Sequence, residues 1–393
     1  MFSKKREEKT RCGERAALCK AACIEMFSKK REEKTRCGER AALCKAACIA
    51  LLASNLLSAG CSSEDKKTSK ERLIVYDWSF SDLPEFHSKF IEKYPDLPPK
   101  IPILAEDEEA FAKAKSGFPF DVIHPCSQFF QLYVENGLIQ PLDTSRIAGW
   151  NDLAPSFVEA GKINGVQYFM PYDWGYESIL VRTDKVRTVP ESWSDLWNPE
   201  YRGHLALLET ADSAHIFTSQ SLGLDPWNTT PEQDQQIQEK LVELKPNLLT
   251  YWTDFSEIKT LITSGDAWIA SNVWNDAYAD LYAEGVPVKY ITPKEGRIGW
   301  ICGYAISSKT KNLDMAYDYL NALLDPDSHA AFGNTYAYGV SSKTALSRMN
   351  PEKVKIMQLD DLDIQSRTVF YKSWNEEQRK SITKRWIHFQ AAP

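Results

Sequence analysis

From Glu71 onward the chain alternates short apolar, β-branched runs with segments whose apolar residues recur every 3.6 positions. That alternation restricts the chain to an α/β architecture with mainly parallel sheets. Leu73-Ile74-Val75-Tyr76 and Phe120-Asp121-Val122-Ile123 read as strands. Between them, Ser81 or Asp82 is expected to cap a helix whose apolar positions are Leu83, Phe86, Phe90, Ile91 and Tyr94. Ser127–Asn136 is predicted helical, with Gly137 as its stop. Asp254-x-x-Glu257 opens a further helix as a capping box closed by Gly265, and Leu313–Leu324 is an amphipathic helix ended by Asp325-Pro326.

Residues 1–60 belong to a different kind of segment. Ala46–Ala59 (AACIALLASNLLSA) is an uncharged apolar run behind a basic stretch, and its 14 residues are too few for a stable membrane-spanning helix. It ends at Gly60-Cys61, and a cysteine directly after Ser58-Ala59-Gly60 resembles the lipobox of bacterial lipoproteins. Leu57 sits one place further out than the usual leucine. The resemblance implies lipidation of Cys61; plain export and an uncleaved anchor are the alternatives, and all three place the rest of the chain outside the cytoplasm. Residues 1–25 recur as 26–50 with only Glu25 replaced, by Ala50. A repeat fold needs three or more units stacking a common core, so the doubling reads as a duplicated start with Met26 as initiator. Residues 61–71 form a polar, Ser/Lys-rich tether.

Positions 1–60 hold 14 of the 47 basic and 7 of the 54 acidic residues, leaving 33 basic and 47 acidic residues and a net charge of −14. Such a body is no partner for nucleic acid, which calls for a basic face, and it attracts cationic ligands. Six of the nine cysteines also lie in the leader, leaving Cys61, Cys126 and Cys302, which excludes a disulfide scaffold and a zinc ribbon. No G-x-S-x-G, H-E-x-x-H, phosphate-binding glycine loop or C-x-x-C follows the leader, and the six histidines lack metal-ligand spacing. Neither a catalytic group nor a cofactor or metal is therefore expected. What stands out is tryptophan beside turns and acids: Tyr76-Asp77-Trp78-Ser79, Tyr172-Asp173-Trp174, Trp274-Asn275-Asp276 and Gly299-Trp300-Ile301-Cys302. Indole faces attract organic cations and a nearby carboxylate supplies the opposing charge. The plainer reading is that tryptophans fill cores and domain seams.

Seven phrases in order, YDWS (76–79), FDVIHPCS (120–127), ENGLIQPLD (135–143), PYDWGYESI (171–179), SWSDLWNPEYRG (192–203), VWNDAYA (273–279) and PKEGRIGWICGYAI (293–306), resemble the extracellular solute-binding proteins of ABC importers. The spermidine/putrescine-binding branch is the nearest in pattern. The resemblance implies a two-lobe periplasmic-binding-protein fold of type II, hinged, with the ligand in the interlobe cleft. Lobe I would comprise 72–172 and 302–344, and lobe II 173–301 and 345–393. It implies a monomer that takes a small cationic amine and hands it to a permease in the inner membrane.

Carried across residue by residue, the family's ligand contacts fall on Trp78, Ser79, Cys126, Gln128, Asp212, His215, Trp274, Trp300, Cys302 and Asn375. His215 and Cys302 stand where the family has acids, and an ammonium buried without its carboxylate loses several kcal/mol of compensation. Asp173 and Glu177 are candidates to replace the lost charges. A quaternary ammonium, an ω-amino acid or an opine-like conjugate remains an alternative ligand, and Arg297 or Arg182 could meet its carboxylate. Cys126 and Cys302 are either two small buried thiols or a disulfide, the latter requiring Cα atoms within about 7 Å. A ligand-sensing lipoprotein would use the same cleft. A periplasmic hydrolase with Cys126 or Cys302 as nucleophile and His124 or His215 as base is the remote alternative.

Overall fold

The computed structural model describes residues 71–79 and 81–393. The leader, Cys61 and the tether up to Lys70 lie outside the described residues. The first apolar run forms β1 (Val75–Trp78), paired in parallel with β2 (Ile103–Leu104) and β3 (Val122–Ile123). Next comes β4 (Met170–Arg182), 13 residues buried throughout. β5 (Leu205–Leu208), β6 (Leu248–Trp252) and β7 (Ile269–Trp274) form a second parallel group, and β8 (Ile298–Ser307) returns antiparallel to β4. The order β2-β1-β3-β8-β4-β7-β5-β6 puts the long antiparallel pair β4/β8 at the centre, flanked by the two parallel groups.

Each flank carries its own core. Leu73, Val75, Phe86, Phe90, Tyr304, Tyr319 and Phe332 pack together on the first side. Ile179, Trp193, Leu205, Phe217, Trp374 and Phe389 pack on the second. Trp174 and Tyr176 join Trp252 and Val273 in a third cluster. Truncating one such fully buried aromatic side chain to alanine costs about 3–5 kcal/mol, so these contacts hold the crossing strands rigidly.

The helices that bear on function are α1 (Asp107–Lys115), α2 (Ala211–Ser221), α3 (Phe255–Ser264) and α4 (Glu376–Ala391). At α3 the Asp254 carboxylate accepts the N–H groups of Ser256 and Glu257, and Gly265 closes the helix at φ +79°. The box is incomplete: the Glu257 carboxylate accepts the N–H of Thr253 rather than that of Asp254. The expected helix from Ser81 or Asp82 is a 3₁₀ turn, Pro84–His87, followed by a short α-helix, Ser88–Lys93. Leu83, with no side-chain cap, precedes Pro84, whose missing N–H and preset φ suit it to open the turn. Ser127–Asn136 likewise divides into a 3₁₀ turn, Ser127–Phe129, and a helix, Phe130–Glu135. The helix Leu313–Leu323 ends where Asp325 caps the next helix, Pro326–Tyr336.

Candidate ligand-binding cleft

Side chains at the carboxyl ends of both parallel groups converge on one cavity of about 730 Å³, within the usual range for small-molecule sites. Trp78 ends β1, Glu106–Glu108 follow β2, and Cys126, Gln128 and Phe129 follow β3. Glu209–Ser213 follow β5, Thr253 follows β6 and Trp274 ends β7. Ligands of open α/β sheets sit at such ends because the chain there leaves the sheet and exposes its backbone and short loops. Trp78, Trp274 and Trp300 therefore share one crevice.

The crossing strands supply the floor. Side chains on a strand alternate between faces, so Asp173, Gly175 and Glu177 of β4 share one face while Trp174 and Tyr176 turn into the core. Opposite them β8 presents Trp300 across from Gly175 and Cys302 across from Asp173. A Cβ at position 175 would come within 2.5 Å of both the Trp300 ring and Asn275 Oδ1, so glycine is what lets the indole lie against the strand. Glu177 Oε2 accepts from Ser213 Oγ (3.0 Å), Asn272 Nδ2 (3.1 Å) and the Tyr371 hydroxyl (3.1 Å). Asn272 reaches it from an irregularity in β7, at φ +54°, a conformation asparagine tolerates better than most residues.

The lining is strongly acidic. Among the described residues, Glu106, Asp107, Glu108, Asp173, Glu177, Glu209 and Asp212 face the cavity against one basic side chain, Arg379 of α4. Burial raises Glu177 to about 7 despite its three donors. Burial also raises Asp107 to about 8, although its Oδ1 accepts the Cys126 N–H at 3.2 Å. Beneath the floor, His124 is buried between two carboxylates, with Nδ1 2.8 Å from Asp77 and Nε2 2.9 Å from Asp173. Both nitrogens donate only in the imidazolium form. Burial opposes that charge, but Asp77 and Asp173 outweigh it and lift the ring to about 9. The ring also stacks on Tyr304, centroids 3.9 Å apart, whose hydroxyl donates to Asp77.

Of the residues named from sequence, Trp78, Cys126, Gln128, Asp173, Asp212, Trp274, Trp300 and Cys302 line the cavity, as does Glu177. Three do not. Ser79 is exposed in the turn after Trp78 and is not part of the cavity lining. His215 is buried beneath α4, with Nε2 donating to the Pro226 carbonyl and Nδ1 facing Arg385. Burial, with Arg385 adding to it, pushes this ring down to about 4, so it is a neutral packing residue. Asn375 is exposed and caps α4, its Oδ1 accepting the Gln378 N–H. Arg297 is fully buried among Tyr176, Tyr290 and Gln358, and Arg182 pairs with Asp184; neither reaches the cavity. Cys126 and Cys302 form a disulfide, which removes both thiols as nucleophiles. The reading from sequence missed Glu106, Asp107, Glu108, Glu209, Tyr338, Tyr371, Arg379 and Trp386. The acidic run Glu106–Glu109 directly after an apolar strand was the available signal for the first three.

Residues 104–356 match the family model for bacterial extracellular solute-binding proteins. The spermidine/putrescine-binding periplasmic protein of Salmonella typhimurium is 27% identical over 306 residues, covering 77% of this chain and 86% of the relative. The putrescine/cadaverine-binding protein of Pseudomonas aeruginosa is 26% identical over 359 residues, covering 86% and 98%. In structure, the spermidine/putrescine ABC transporter substrate-binding protein of Streptococcus pneumoniae superposes with a TM-score of 0.71 at 22% identity, over 82% of this chain and 99% of that one. The Tp0655 lipoprotein of Treponema pallidum superposes at 0.70 and 18% identity, over 81% and 99%. The central crossing pair, the flanking parallel groups and the cleft between them are thus the two-lobe type II binding-protein fold, and the chain belongs to the bacterial extracellular solute-binding proteins, which work in the periplasm or cell envelope.

Proposed function

We propose that this protein is the substrate-binding component of an ABC importer and that its ligand is a polyamine or a closely related cationic amine. The observation that carries the reading is the set of seven carboxyl groups set against one guanidinium, among the described residues, around a cavity that the indoles of Trp78, Trp274, Trp300 and Trp386 share. Aromatic faces and carboxylates together compensate an ammonium for its lost hydration, which neither does well alone. The curated relatives named for spermidine, putrescine and cadaverine support the same ligand class. Lobe I is taken as 72–172 and 302–344 and lobe II as 173–301 and 345–393. A ligand that touches both favours the closed state, which the permease recognises. No covalent step is involved. The ligand contacts are assigned to Trp78, Asp173, Glu177, Trp274 and Trp300, with Asp107, Gln128 and the Cys126–Cys302 disulfide as neighbouring wall. Cys61 carries the lipid that tethers the body to the membrane.

The test is a thermal-shift and calorimetric screen of the purified protein against putrescine, spermidine, choline, betaines, ω-amino acids and opines, since selective binding to the folded state raises Tm. A polyamine is expected to give the largest shift, lost on Trp274→Ala. A flat response to every amine, or a shift that survives Trp274→Ala, overturns the reading.

A further inference from the structure

Among the described residues, the only basic side chain lining the cavity is itself held as a ligand would be. Arg379 extends from α4 on the second side of the crossing strands, and its Nη1 lies 3.4 Å from Asp212 Oδ2, which follows β5 on that same side. The same nitrogen is 3.4 Å from Glu108 Oε1, on the first side, beyond β2. Nη2 donates to the Gln128 carbonyl at 3.1 Å, and the guanidinium carbon stands 4.3 Å over the Phe129 ring, both beyond β3. Two carboxylates, a carbonyl and an aromatic face are the groups that hold an organic cation, and here they close around one that the chain provides. The Nε proton is buried without an acceptor, so the side chain is not placed by its own full hydrogen-bonding.

We propose that Arg379 is a built-in cation that fills one end of the cleft and sets how many positive centres a ligand can bring, so that the protein prefers a short diamine to a longer triamine. This rests on the polyamine reading above. Glu108 and Asp212 share the one guanidinium and Asp173 is already held by His124, which leaves Glu177 as the floor acid with no cationic partner in the protein for the ligand to meet. A third ammonium reaching the Phe129 end meets a like charge at close range, where repulsion is strongest. Length and charge are thereby read together: a diamine stops short of the guanidinium and a triamine does not.

The test compares putrescine and spermidine by calorimetry on the wild-type protein and on Arg379→Ala, Arg379→Gln and Arg379→Lys, with Tm confirming that each variant folds. Wild type is expected to favour putrescine. Both neutral variants should shift the affinity ratio at least tenfold toward spermidine, and Arg379→Lys should restore the preference relative to Arg379→Ala. A ratio unchanged within twofold in a folded neutral variant, or an equal loss for both amines, overturns the inference while the polyamine reading stands. If neither wild type nor the neutral variants respond to either amine, both fall together.

Discussion

Lowering the pH should weaken ligand binding in a graded and calculable way, because two of the acids facing the cavity bind protons well above the ordinary carboxyl range. Burial lifts Glu177 from 4.5 to about 7 and Asp107 from 3.8 to about 8. A cationic ligand favours the ionised form, so binding must expel any proton these groups hold. At pH 5.5 a carboxyl titrating at 7 is protonated about 30 to 1, so Glu177 alone predicts about 30-fold weaker binding than at pH 8.5. If Asp107 also ionises on binding, the same arithmetic adds a further factor of about 200. Each participating group contributes one unit of log Kd per pH unit below its own value, with the ligand charge constant because alkylammonium groups titrate near about 10. Calorimetry from pH 5.5 to 8.5 at fixed ionic strength, in buffers of differing ionisation enthalpy, reads the affinity and the released protons together. Glu177→Gln should remove the 30-fold share. A Kd constant within threefold across that range, or binding without proton release at pH 6.5, would refute the assignment of these acids to the ligand.

Four further outcomes follow from the geometry. Gly175→Ala should weaken ligand binding at least tenfold, because the new methyl displaces Trp300 or Asn275, at a stability cost of about 1–3 kcal/mol read by denaturant titration; unchanged affinity would contradict the floor described. Reducing the Cys126–Cys302 bond, which closes a span of 176 residues, should cost between about 2 and 5 kcal/mol in the same titration. Asn375→Ala should lower stability by about 1 kcal/mol through loss of the cap on α4 while leaving affinity within twofold, whereas a large affinity loss would return Asn375 to the ligand. A carboxyl raised by folding adds stability below its unfolded pKa, lost as pH rises through the folded value. The stability of wild type relative to Glu177→Gln should therefore fall by about 3 kcal/mol between pH 4.5 and pH 8.

The strand ends and the tryptophans beside them are legible because alternation marks where a strand stops, and ligands of this architecture collect there. Trp78, Asp173, Trp274 and Trp300 were found on that logic. His215 and Asn375 were not readable in the same way. Resemblance places them in the cleft, but in this chain one side chain is drawn under α4 by Arg385 and the Pro226 carbonyl, and the other is spent on a helix cap. Asp107 belongs to an acidic run indistinguishable in pattern from the solvated first turn of any helix, yet in the fold its carboxyl is buried and accepts the N–H of Cys126, 19 residues further on. Arg379 sits in a helix of mostly polar sequence, and nothing local distinguishes it from Lys380 or Lys384. Partners 176 residues apart in the chain, as Cys126 and Cys302 are, carry no mutual signal in spacing at all.

The bond between those two sulfurs also bears on which pieces travel together. Cys126 belongs to the loop after β3, and Cys302 sits on β8 two residues past Trp300. If the lobes divide as proposed, with lobe I resuming at position 302, the bond closes within lobe I and leaves the hinge unbridged. Trp300, two residues earlier, then travels with Trp274, and Trp78 faces that pair from the opposite jaw.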